Sequence, residues 1–239
     1  MGKFTPAVLF VAIAAAQTPG PPDQKGDTVE AASSQTETYG DKHILGVVPN
    51  YTTVNEPPKK YQPISAREKF KLATEDTFDP CSLAITGIYA GVAQWGNNYR
   101  QFGQGAQGYG KRYGAAFADG AISNYLTEGV LPSLLHEDPR LFRLGTGSKL
   151  KRVVYAMTRV LITRTDSGGE RFNISEIAGN MISAGLSNLY YPPLNRSLDN
   201  TLEHFEINVL SDAGFNILKE FWPDMRRKVL HKGDPEPAR

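Results

Sequence analysis

Residues 97–118, NNYRQFGQGAQGYGKRYGAAFA, admit three readings: a phosphate-cradling loop, a linker, or a helix built for close packing. Gly103, Gly105 and Gly108 spell G-x-G-x-x-G, and Glu128 follows twenty residues after Gly108. In a dinucleotide-binding unit that motif sits between a strand and a helix, where glycines let the pyrophosphate reach the helix N-terminus. No strand pattern precedes Gly103. Instead Ile85, Ile88, Tyr89, Val92 and Trp95 recur at helical spacing just upstream. The stretch is therefore architectural, and two readings of it stay open. Tyr99, Phe102, Ala106, Tyr109, Tyr113 and Phe117 are spaced by three or four, as one aromatic stripe on a helix would be. Alternatively, Gly103–Gly110 is a loop and the helix starts near Lys111, because clustered glycines break helices.

Helical spacing continues outward in both directions. Ser65 and Glu68 have capping-box spacing, with Ala66, Phe70 and Ala73 behind them, and Pro80 punctuates the next helix. Residues 149–163, KLKRVVYAMTRVLIT, place Leu150, Val153, Val154, Met157, Val160 and Leu161 on one apolar face, predicted to meet a core. Their β-branched residues would suit a strand, but strict alternation is absent. Gly168 and Gly169 stop this helix, and Asn173 with Glu176 restarts the chain as a cap pair. Ile174, Ile177, Met181, Gly185 and Leu189 then line one face until Pro192 and Pro193. Leu202, Phe205, Val209, Ala213, Ile217 and Phe221 line another, which Pro223 is expected to end. The fold class is all-α: a single domain over residues 64–231, of about six helices. Several helices carry glycine faces, at Gly87 and Gly91, Gly110 and Gly114, and Gly179 and Gly185. Such small-residue spacing lets helices approach closely, most familiarly in membranes.

The termini read differently. Lys3, the apolar run from Ala7 to Ala16 and the A-x-A pattern at Ala14 and Ala16 predict a secretory signal peptide over residues 1–16. Ten apolar residues are too few to span a bilayer. Removing Lys3 takes the net charge from +1 to about zero, which excludes a broadly basic nucleic-acid-binding domain. Residues 17–63, rich in Pro, Gly, Thr, Ser and charge, predict a disordered arm. Within it HILGVVP, residues 43–49, is apolar enough to dock on the domain or a partner, and residues 232–239 predict a flexible tail. Cys81 is the only cysteine, so no internal disulfide can form, and its place in DPCSLAITG suits an inert thiol in a first helical turn. Asn50, Asn173 and Asn195 head N-x-S/T sequons, of which Asn173 reads as a helix cap.

Catalytic residue types concentrate in TEGVLPSLLHEDPRLFR, which holds Glu128, His136, Glu137, Asp138 and Arg140. Adjacent residues point apart, so His136, Glu137 and Asp138 do not have metal-ligand spacing, and H-E-x-x-H, C-x-x-C, P-loop, EF-hand and G-x-S-x-G patterns are absent. The plainer reading is that HEDPR closes a helix, with Asp138 or Glu137 pairing Arg140 or Arg143. No cofactor or metal is called for. Between Pro139 and Arg171 eight Lys/Arg oppose Asp166 and Glu170. Lys151, Arg152 and Arg159 share the face opposite the apolar stripe of residues 149–163, a pattern that can meet anionic headgroups or simply face solvent. The expectation is an exported, periplasmic or envelope-surface protein without catalytic activity. It would associate with membrane lipid or an envelope protein, or self-associate as a homo-oligomer, and bind no nucleic acid. The alternative is a periplasmic hydrolase or transferase built on His136 with Glu128, Glu137 or Asp138.

Overall fold

Where side chains can satisfy the free amides of a first turn, helices begin. Ser65 does so for α1 (Ala66–Thr77): its Oγ accepts from the Glu68 amide while the Glu68 carboxylate accepts from the Ser65 amide, so the predicted capping box forms. Asp79 caps α2 (Pro80–Trp95) through the Cys81 and Ser82 amides, with Pro80 at the first position, where no amide is needed. After a 3-10 turn at Arg100–Phe102 comes α3 (Gly105–Asn124), which passes through a π-helical segment, Tyr125–Val130, into α4 (Leu131–Leu135). Ser148 caps α5 (Lys149–Thr158), and Asn173 caps α6 (Ile174–Ser187) by accepting from the Glu176 amide. The last helix, α7 (Leu198–Leu230), is the longest. The fold is mostly helical, as the spacing predicts. This computed structural model describes residues 42–44, 48–54 and 61–230, all within one compact unit, Gln35–Arg239. The expected signal peptide and tail lie outside the described residues.

Short strands tie the helices together, and they correct two expectations; a third concerns Pro223. Within the arm, the apolar segment 43–49 forms β1 (His43–Ile44) pairing with β2 (Val48–Pro49), and β3 (Thr53–Val54), expected to be disordered, runs parallel to β5 (Leu141–Phe142). Ile44 and Val54 are fully buried, which is the apolar gain that offsets ordering this polar segment. The helix expected over residues 149–163 stops at Thr158. Ile162–Thr165 is instead β6, lying between β4 (Glu137–Asp138) and β7 (Glu170–Phe172). A turn closed by the Gly168 and Thr165 amides, with Gly168 at φ +89, supplies the hairpin. Here strand pairing outweighs a helical period that the β-branched residues favour only weakly. Pro223 does not end its helix. It lies inside α7, whose next turn is held by Asp224 pairing with Arg152 and Arg227.

The glycine-rich stretch splits between its two readings. Gly103 takes φ +79 in a short loop, and the helix starts at Gly105, ahead of Lys111. Tyr109 and Tyr113 lie along α2, donating hydroxyls to the Gly87 and Leu83 carbonyls, while Tyr99 and Phe102 turn away to pack on Tyr191. Close glycine contact is real at Gly179 of α6, where a Cβ would lie 2.7 Å from Thr127 Cγ2. At Gly91, Gly110, Gly114 and Gly185 nothing lies within 4 Å of that position.

The largest departure concerns which faces point inward. The apolar stripe of residues 149–163 faces mostly out: Leu150 is 72% exposed and Val154 52%, Val153 is half-buried and Val160 buried, while Arg152 and Ala156 of α5 are buried. On α6, Met181 and Leu186 are exposed, as is Leu189 just past it, whereas Ser175, Asn180, Ser183 and Ser187 are buried. Among the largest fully buried side chains are Lys69, Glu137, Glu220, Asn180 and Asp138. The interior is held by ion pairs and hydrogen bonds at positions where a water-surrounded domain ordinarily places aliphatic groups.

Candidate functional site

The inward polar faces converge on a cavity of about 550 Å³ lined from α1, α3, the π-helical segment, α6 and α7. Each of these elements contributes acid; Asp119 comes from α3, and the other four acids meet in pairs. Asp76 of α1 faces Glu128 of the π-helical segment, and Glu176 of α6 faces Asp212 of α7. Asp76 Oδ1 and Glu128 Oε2 are buried with no hydrogen-bond partner, and burial beside a second carboxylate favours the protonated form of Glu128. Asn180 stands beside the second pair, its Nδ2 donating to Glu176 Oε1 at 3.0 Å and Asp212 Oδ2 at 3.2 Å. Its Oδ1 accepts from Ser123 Oγ at 2.7 Å, which fixes the amide's orientation. Lys219, donating to Thr52 Oγ1 at 3.1 Å, supplies positive charge toward Asp76, Glu128 and Glu176.

Burial first, and then the neighbouring carboxylate, pushes Glu128 and Glu176 well above the ordinary glutamate value of 4.5; Lys219 opposes this only in part. Burial likewise raises Asp76. The π-helical segment explains how Glu128 reaches this position: one wider turn re-aims the side chains around it. Gly129, beside it, allows Phe70 of α1 to approach, since a Cβ there would sit 3.2 Å from the ring.

These shifts set a pH dependence. A carboxyl raised on folding binds its proton more tightly in the native state. Its contribution is therefore complete below the unfolded value near 4.5 and is lost as pH rises toward the folded value. Glu128→Gln with Glu176→Gln supplies permanent amide donors at both pairs. The double variant is expected to lose less thermal stability than wild type as pH rises above the unfolded glutamate value near 4.5. Parallel melting-temperature profiles for the two proteins would show that the pairs are not the titrating groups.

At one end of the cavity Asp119 accepts from the Tyr190 and Tyr191 hydroxyls, both at 2.6 Å, and burial raises its carboxyl. Tyr99, Tyr191 and His204 stack edge to face beside it. At the other end Asp138 accepts from Arg140 and from the Tyr61 hydroxyl, and Arg164 lies 4.4 Å over the Phe142 ring. The whole is a polar interior lined by buried carboxyls, with an aromatic cluster around Asp119 and an ionic one around Asp138.

The residues singled out in the sequence scatter across this geometry. Glu128 lines the cavity. His136, left-handed at φ 55, ends α4 with its side chain 82% exposed and its Nδ1 3.7 Å from Asp166, whose carboxylate pairs with Lys69. Glu137 pairs with Arg171 and caps α6 by accepting from the Ser175 amide, and Asp138 pairs with Arg140, as the plainer reading of HEDPR has it. Lys151, Arg152 and Arg159 do not share one open face. Lys151 is exposed, Arg152 is buried against Glu220 and Asp224, and Arg159 pairs with Glu170 over the Tyr155 ring. Asp76, Glu176, Asp212 and Lys219 went unread as a group. Their sequence signal is an acid, amide or lysine opposite each apolar stripe, which reads as a solvent face unless the stripe is known to face out. Comparison of the chain with protein-family models, curated proteins and solved structures finds no match.

Proposed function

We propose that this is an envelope protein that lies on a membrane, with outward apolar helix faces seated in lipid and the charged cavity enclosed behind them. The observation that carries this reading is the outward stripe Leu150, Val154 and Met157 of α5, extended by exposed Leu161 just past its end. It continues into α6, because the Asn173 amide donates to the Leu161 carbonyl and so brings exposed Phe172 and Ile174 alongside it. Contiguous apolar surface of this kind is costly in water, at about 25 cal/mol per Å². No helix among the described residues is long and apolar enough to cross a membrane, so the mode is interfacial. In this arrangement exposed Lys149 and Lys151 flank Leu150 and meet anionic headgroups, whereas Arg152 and Arg159 serve the fold.

The test is fractionation of the native host followed by salt and alkaline carbonate washes, repeated with Val154→Glu/Met157→Glu. Both side chains point outward, so the variant keeps the interior. Wild type is expected to resist salt and the variant to be released into the supernatant. A wild type found wholly in the soluble fraction, or a variant retained like wild type, would overturn the reading. A concentration-dependent mass in lipid-free buffer, abolished by the same substitutions, would assign the stripe to self-association instead.

A further inference from the structure

The first turn of α2 and the ordered part of the arm build a second constellation, separate from the cavity's acid pairs. His43 Nε2 lies 2.7 Å from Asp79 Oδ2, and His43, Asp79 and Cys81 offer one ligand atom each with none more than 4.8 Å from another. Among the described residues this is the one such trio. We propose that it binds a single borderline transition-metal dication of the zinc or cobalt class.

Three features carry this. The donor set of imidazole, carboxylate and thiol is the chemistry of zinc-class ions, whereas magnesium and calcium call for oxygen alone. The carboxylate is already oriented: Asp79 Oδ1 is held by the Cys81 and Ser82 amides, so Oδ2 faces His43 and the Tyr51 hydroxyl. The ring is also positioned, packed edge to face on Tyr51 at 5.8 Å. Such outer contacts fix ligand geometry before metal arrives. With bonds of about 2.0–2.3 Å, donors around one tetrahedral ion stand roughly 3.3–3.8 Å apart. The His43–Asp79 contact must open slightly and Cys81 must close on it, both of which side-chain rotation allows. Binding releases the Cys81 thiol proton to solvent as the thiolate joins the ion. Occupancy would fasten the arm, through a residue 36 positions away from Asp79, to the start of α2.

The experiment is titration of the full-length protein, held reduced, with cobalt(II), followed by zinc competition. Expected are saturation at one equivalent, a thiolate-to-cobalt charge-transfer band, the strong visible bands of tetrahedral cobalt, and their loss on adding zinc. Cys81→Ser should abolish the charge-transfer band, and His43→Ala should weaken binding by more than about tenfold. Neither substitution removes the Asp79 cap, and far-ultraviolet circular dichroism checks that α2 persists. Absence of the charge-transfer band in wild type, or cobalt binding that both variants leave unchanged, would overturn the site.

Discussion

Glu220→Ala is expected to destabilise the protein by about 3 kcal/mol, the low end for breaking a buried ion pair, because Asp224 still faces Arg152. Glu220 is fully buried on α7, and its carboxylate accepts from Arg152 Nε at 2.7 Å and from the Leu144 and Gly145 amides at 2.9 Å each. Its carbonyl accepts from Arg143 and Arg152 as well. One residue thus anchors α5 and the loop after β5 to α7. Burial lowers the Arg143 guanidinium and Glu220 opposes this, so removing the carboxylate leaves two arginines to repel each other in low dielectric. Thermal unfolding read at Trp222, which is buried near the site while Trp95 is 90% exposed, should shift down by roughly 2–4 °C for each kcal/mol lost. Glu220→Gln keeps an acceptor for the amides and should lose less. An alanine variant within about 1 kcal/mol of wild type would show that water replaces the carboxylate and that the pair is not closed to solvent.

Arg112→Ala is expected to cost about 3 kcal/mol and to loosen one loop selectively. Arg112 is 2% exposed and has no carboxylate partner among the described residues. Its fork donates instead to oxygens that converge from the glycine-rich stretch: Asn98 O at 2.6 Å, Gly103 O at 2.6 Å, Gly108 O at 3.1 Å and Gln94 Oε1 at 3.0 Å. Several of these carbonyls lie just past the C-terminus of α2, where the helix dipole favours a cation. The chain folds back so closely that a Cβ at Gly108 would fall 2.4 Å from the Gly103 carbonyl oxygen. Glycine there serves backbone packing around a guanidinium, with no phosphate needed to explain it. Amide exchange between about residues 97 and 108 should accelerate in the variant while α6 and α7 keep their protection. Arg112→Lys should rescue little, because an ammonium lacks the planar fork. Unchanged exchange in that loop would mean the glycine turn holds itself.

Much of this was legible in the chain. Ser65 with Glu68 and Asn173 with Glu176 announce helix starts, because capping chemistry acts over three or four residues, whereas Gly168, expected to stop the helix of residues 149–163, turns a hairpin instead. The helical period of α2 through α7 likewise needs only local spacing. What sequence could not determine is the sense of each amphipathic face. Leu150, Val154 and Met157 mark a stripe equally well whether it faces a core or a lipid, and Arg152 opposite them reads as solvent-facing until Glu220 is placed against it. The end of α5 depended on β4 arriving to pair with β6, and His43 reached Asp79 only once the arm was laid on α2. The sequence alone determined where helices start and what period they keep, since those forces are local. Only the tertiary structure decided which faces are inside, because burial of a charge becomes favourable solely when its partner comes from another element.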